Sequence, residues 1–111
     1  MHVEMETVRD TLMVRIKGEL DLVVAEELRA LIDNRLKKDK PQTLILDLDG
    51  VSFIDSSGLG VIIGRYKKVQ IMGGKMYIVR ARPTVSRILE FSGIKKLIPV
   101  YATEKELLRI E

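Results

Sequence analysis

The chain has no cysteine and a single histidine, His2, at an end expected to fray. Without thiols there is no disulfide, no thiolate zinc site and no cysteine nucleophile. With one terminal histidine, no Ser-His-Asp triad can be assembled around any serine, and no histidine or cysteine cluster can hold a transition metal. Tryptophan is missing and aromatic residues make up only 5% of the chain; a stacking platform for single-stranded nucleic acid is poorly supported. No apolar run approaches the roughly 20 residues of a membrane span. The opening Met-His-Val-Glu-Met-Glu lacks the basic-then-apolar order of a signal peptide. No phosphate loop of the form G-x-x-x-x-G-K-[ST] occurs. The expectation is a soluble cytoplasmic protein without cofactor or membrane partner.

What is present suits a single globular domain over residues 1–111. Hydrophobic residues make up 46% and charged residues 32%, and a chain of this length buries a core without staples. The charge is uneven. Residues 1–56 carry 8 basic and 12 acidic side chains, a net of −4, whereas residues 57–111 carry 11 and 4, a net of +7. Between Ser56 and Leu89 there is no acid, but Arg65, Lys67, Lys68, Lys75, Arg80, Arg82 and Arg87 are all there. Such a block fits a solvated face best, an acidic protein partner next and nucleic acid least. A nucleic-acid footprint would show as a gel shift that fades steeply with salt.

The pattern of the chain changes period in an informative order. Val3, Met5 and Thr7 alternate with His2, Glu4 and Glu6; after Arg9-Asp10-Thr11, Leu12, Val14 and Ile16 alternate with Met13, Arg15 and Lys17. This predicts an antiparallel hairpin with one wet face, ended by Gly18. Ala25, Leu28, Leu31, Ile32 and Leu36 then recur at helical spacing between Asp21 and Lys38, with Pro41 as a stop. Thr43–Leu48 is a nearly continuous apolar run, as in a central strand covered on both faces. Beyond it, Gly50, Val51 and Phe53 read as pointing alike before a turn at Asp55. Leu59, Ile62, Ile63, Tyr66 and Val69 mark the face of a second helix, halted by Gly73-Gly74. Met76–Val79 reads as a strand, and Pro83 to Gly93 as a short helix. Leu97–Val100 reads as a last strand, placed at an edge by Pro99. Thr103 and Glu106 have the spacing of a capping box. The fold class is therefore α/β, β-β-α-β-α-β-α-β-α, with a mixed sheet of about five strands and about four helices.

Little catalytic chemistry is available. Leu46-Asp-Leu-Asp-Gly-Val51 resembles the nucleophile motif of haloacid-dehalogenase-type phosphatases, with Asp47 as nucleophile, Asp49 as general acid and magnesium beside them. That chemistry needs further carboxylates downstream. No aspartate follows Asp55, and Glu90 is the next acid. Asp47 and Asp49 therefore border a strand by coincidence. Gly58, Gly60 and Gly64 imitate a glycine-rich loop only weakly; they read as a flat strip for close packing against a sheet or a partner. What remains is Phe53-Ile-Asp-Ser-Ser-Gly-Leu-Gly60, where a central strand gives way to a helix and where function collects in open α/β sheets. Either Asp55 or Ser56 can cap that helix. A serine just inside the cap has no base to activate it, which makes it a poor nucleophile but an accessible acceptor.

The stretches Gly18-Glu-Leu-Asp21, Leu46–Val61, Gly64-Arg-Tyr-Lys-Lys68 and Phe91-Ser-Gly93 carry a family resemblance. From Ile16 onward the chain resembles the anti-sigma factor antagonists, whose fold is the STAS domain, and most of all the sporulation members that act on the anti-sigma-F kinase. The resemblance implies a regulatory module rather than an enzyme. Its unmodified form would bind an anti-sigma factor that is also a serine kinase, freeing the sigma factor for transcription. Phosphorylation of Ser57 would weaken that binding, and a separate serine phosphatase would restore it. By the same transfer, Asp21, Asp55, Ser56, Ser57, Gly58 and Gly60 would lie in or beside the docking surface, with no catalytic residue and no metal. After Asp21 the chain reads Leu22-Val23-Val24, where relatives often carry polar residues, and three exposed apolar residues there would make the interface greasier.

Overall fold

A computed structural model describes residues 1–110. The element order is β1 (His2–Val8), β2 (Thr11–Leu20), α1 (Leu22–Asp39), β3 (Thr43–Ile54), α2 (Ser56–Ile71), β4 (Lys75–Val79), α3 (Pro83–Phe91), a 3-10 turn (Ile94–Lys96), β5 (Val100–Tyr101) and α4 (Glu104–Ile110). The strands lie in the order β1-β2-β3-β4-β5. β1 pairs antiparallel with β2, and every later pair is parallel. This is the expected topology.

Right-handed crossovers advancing in one direction across a sheet put their helices on one face. Accordingly Leu12, Val14, Ile16, Leu44, Leu46, Leu48, Met76 and Ile78 turn toward α1, α2 and α3 in the main core. The second face has a smaller core, in which Met13, Ile45 and Val79 are covered by Leu107 of α4. Met13, expected on the wet side of the hairpin, is therefore buried, because α4 folds back over that side. At its start α4 is capped by Thr103, whose Oγ1 accepts from the Glu106 N–H at 3.0 Å. It is also tied to the sheet by Glu104 and Arg15, 3.2 Å apart.

Three local expectations need correction, whereas the hairpin pairing does end at Lys17, just before Gly18. Gly18 takes φ 114° and lets β2 run on beside β3 to Leu20. A side chain would be strained there, and glycine is not. The pairing of β2 with β3 shifts register between Arg15 and Lys17 and again between Gly18 and Glu19. Past these irregularities Val51 and Ile54 are buried while Phe53 is 46% exposed; Val51 and Phe53 do not share a face. On α2 the buried stripe is Gly58, Val61, Ile62, Arg65 and Val69, with Leu59, Ile63 and Tyr66 flanking it. The last strand is only Val100–Tyr101, since Leu97 closes the 3-10 turn and is exposed. Pro99 still serves the sheet by accepting from the Ile78 N–H at 3.0 Å.

Two ion pairs hold buried charge. Asp47 is 2% exposed on the α4 side of β3. Arg80 Nη2 lies 2.7 Å from its Oδ2 and Arg15 Nε 3.7 Å away. The bond to Asp47 raises the Arg80 guanidinium above its ordinary range. On the other face Arg65, 5% exposed, places Nε 2.9 Å from Asp33 of α1. That contact is ionic rather than a well-aligned hydrogen bond. Burial lowers the Arg65 guanidinium from its usual range, and Asp33 acts against the shift.

Candidate functional site

The carboxyl ends of β2 and β3 lie side by side, joined where the Asp55 N–H donates to the Leu20 carbonyl at 3.1 Å. Each strand leads into a helix through an aspartate. Asp21 Oδ1 accepts from the N–H groups of Val23 and Val24 at 3.1 and 3.4 Å. Asp55 Oδ1 accepts from those of Ser57 and Gly58 at 2.8 and 3.1 Å. Of the two candidates for the second cap, Asp55 takes the role and Ser56 becomes the first helical residue. Both caps quench free N–H groups that a helix start otherwise leaves without partners.

The residues of the Asp55 turn are sorted by this arrangement. Ser56 is exposed and Ser57 half-buried in the first turn of α2. Gly58 is buried, and a Cβ there would sit 2.5 Å from the Leu20 carbonyl oxygen and 2.8 Å from Ile54 Cγ1. Glycine at 58 is thus what lets α2 close down on the end of β2. For Gly60 and Gly64 the expected close approach to the sheet is corrected: a Cβ at either would meet nothing within 4 Å. Those two do not serve packing within the domain, and Gly60 is exposed on the same helix as Ser57.

Asp21, Asp55, Ser56, Ser57, Gly58 and Gly60 are accordingly brought together at the carboxyl end of the sheet. Leu22 and Val23 join them, 76% and 88% exposed. Val24 does not, because it is half-buried and packs on the main core. The expectation of three exposed apolar residues holds for two. Phe53 also surfaces near this end of the sheet; simple alternation along β3 does not signal it, because an extra residue of β3, Ser52, is accommodated between the pairs Gly18–Val51 and Glu19–Phe53.

The phosphatase-like aspartates lie elsewhere and are otherwise engaged. Both oxygens of Asp47 accept from Arg80 Nε, at 3.2 and 3.1 Å, and Oδ2 also accepts from Nη2 at 2.7 Å. A carboxylate gripped in this way is a poor nucleophile. Among the described residues no group of three or more His, Cys, Asp or Glu side chains could hold a metal ion. The basic block is partly consumed inside the domain. Arg65 and Lys68 face Asp33, at 2.9 and 3.1 Å, and Arg82 donates to the Asp49 carbonyl at 2.6 Å. His2, bonded to Glu4 on β1 at 3.2 Å, gives Ser57 no base.

Known proteins resemble this chain over nearly its whole length. Residues 2–107 match the STAS domain family. The anti-sigma F factor antagonist of Paenibacillus polymyxa is 39% identical over 108 residues, covering 97% of this chain and 92% of that protein. The solved structure of the anti-sigma factor antagonist SpoIIAA in its unphosphorylated form is 31% identical. It superposes with a TM-score of 0.83 over 96% of this chain and 93% of its own. The Bacillus cell fate determinant SpoIIAA in its phosphorylated form is 30% identical, with a TM-score of 0.76 over 99% of this chain and 100% of that one. No helix among the described residues is long and apolar enough to cross a membrane. Across nearly its whole length, the chain belongs to the STAS domain family, among the anti-sigma factor antagonists.

Proposed function

We propose that this protein is a partner switch in transcription control, similar to those of sporulation, working in the cytoplasm and without catalysis of its own. Unphosphorylated, it binds an anti-sigma factor that is also a serine kinase and so frees a sigma factor. The kinase phosphorylates Ser57, the complex falls apart, and a separate serine phosphatase restores the binding form. Neither nucleic acid nor membrane takes part. The docking surface comprises Asp21, Asp55, Ser56, Ser57 and Gly60, with the buried Gly58 beside it.

One observation carries the reading: Ser57 stands in the first turn of a capped helix, at the carboxyl end of a central strand. Phosphorylation adds about −1.5 to −2 charges and three acceptor oxygens. The helix dipole and the local N–H groups favour an anion at that place, so the fold tolerates the group. The surface does not stay the same. Asp55 already brings a carboxylate to the turn, and a partner fitted to a neutral hydroxyl meets repulsion and desolvation. A loss of about 3 kcal/mol weakens a complex more than a hundredfold. The likeness to SpoIIAA in both its unphosphorylated and phosphorylated forms supports a fold that outlasts the modification.

The test is incubation with an anti-sigma serine kinase from the same genome and ATP, with the phosphate located by mass spectrometry. Ser57→Asp should keep the wild-type circular dichroism spectrum and lose the kinase. Ser57→Ala should bind it and resist release. A folded Ser57→Asp that binds as tightly as wild type would sink the proposal.

A further inference from the structure

Resting on that function, we propose that Leu22 and Val23 are specificity-determining contacts which seat in an apolar recess of the anti-sigma kinase. Three observations carry this. First, the fold does not need them: they are 76% and 88% exposed, whereas Val24 beside them supplies the packing. Second, they occupy helix positions where an acidic residue would be favoured by the dipole, yet the first turn of α1 contains none. Valine is also among the weaker helix formers. Local stability and solubility are both forgone there, for no gain inside the domain.

Third, their position is fixed relative to the modified serine. Val23 is the second residue of α1 and Ser57 the second residue of α2. The two turns are joined by the bond from the Asp55 N–H to the Leu20 carbonyl. An enzyme that brings the γ-phosphate of ATP to Ser57 must cover the surroundings of that serine, and the first turn of α1 adjoins them. The aspartates at both caps already accept bonds from backbone N–H groups, which leaves the apolar pair as the unspent contact of the α1 turn.

A second copy of this chain is not the fitting occupant. A stable dimer buries well over about 1,000 Å² in total, far more than two side chains offer. As anchors within a larger interface they suffice, since burying one such residue corresponds to about a 10- to 100-fold change in a binding constant.

Calorimetric titration of the kinase that phosphorylates this chain, with wild type and with the double variant Leu22→Gln/Val23→Thr, tests the inference. The double variant should melt within a few degrees of wild type, because both sites are exposed, and should bind at least tenfold more weakly. The apolar swap Leu22→Met/Val23→Ile should bind within about threefold of wild type, which a merely structural role would not require. If wild type binds and is released by phosphorylation, yet the polar double variant binds within twofold of it, this inference is overturned and the partner switch stands. If no anti-sigma kinase binds or phosphorylates wild type, the functional proposal itself falls.

Discussion

The starts of α1 and α2 are built alike and surfaced differently. In each, an aspartate at the end of a parallel strand accepts from the second and third helical N–H groups. Beyond the cap they part. The α1 start has a core-packing valine in third place and an apolar exposed pair before it. The α2 start has a glycine wedged against the neighbouring strand and a hydroxyl before it. A cap fixes the backbone of a turn and leaves its surface chemistry open. One scaffold therefore presents an exposed apolar pair and a half-buried serine side by side.

The sharpest way to break this pairing is Gly58→Ala. Alanine gains about 1 kcal/mol of helix propensity, but its Cβ meets a backbone oxygen that has little room to move. Overpacking costs of this kind outweigh the gain; urea denaturation should show a net loss of about 2 kcal/mol. Removing the caps comes next. Asp55→Ala should cost about 1–2 kcal/mol and Asp21→Ala about 1 kcal/mol, the order following the shorter bonds at Asp55. Equal losses would show that bond length here does not report cap strength. Gly60→Ala and Gly64→Ala should do the reverse of Gly58→Ala, each stabilising by about 0.5–1 kcal/mol in the same assay, since a Cβ at either meets open space.

The smallest effect belongs to the far end of α1, away from both caps. The Thr7 hydroxyl, and after it Arg35, hold the Asp39 carboxyl below the usual carboxylate range. A lowered folded pKa contributes stability above the unfolded value of about 3.9, and that stability is lost as pH falls through the folded value. Thr7→Val should therefore lose a little stability at neutral pH, with the difference closing in acid. Melting curves between pH 7 and pH 3 would show it.

Much of this was legible in the residues. Alternation marked the hairpin, helical spacing marked α1, and the unbroken run at Thr43–Leu48 marked the central strand. The Asp55 turn stood out because so little other chemistry was available. What escaped was non-local. Met13 is buried by a helix about ninety residues later, and Asp47 is held by Arg80 across a strand pair. Neither leaves a trace in local periodicity. Arg65 entered the buried stripe of α2 because Asp33 waits for it on α1, so the apolar pattern alone put Tyr66 in its place. The choice between Asp55 and Ser56 as cap depended on backbone angles that either residue could have adopted.

The rim of the sheet has a consequence for how copies of the molecule meet. A long free strand invites another chain to add itself and grow a fibre. Here one border is only Val100–Tyr101, preceded by Pro99, which has no N–H to offer. The opposite border interleaves its apolar residues with His2, Glu4 and Glu6. Charge on one side and brevity on the other discourage templated stacking of one copy on the next.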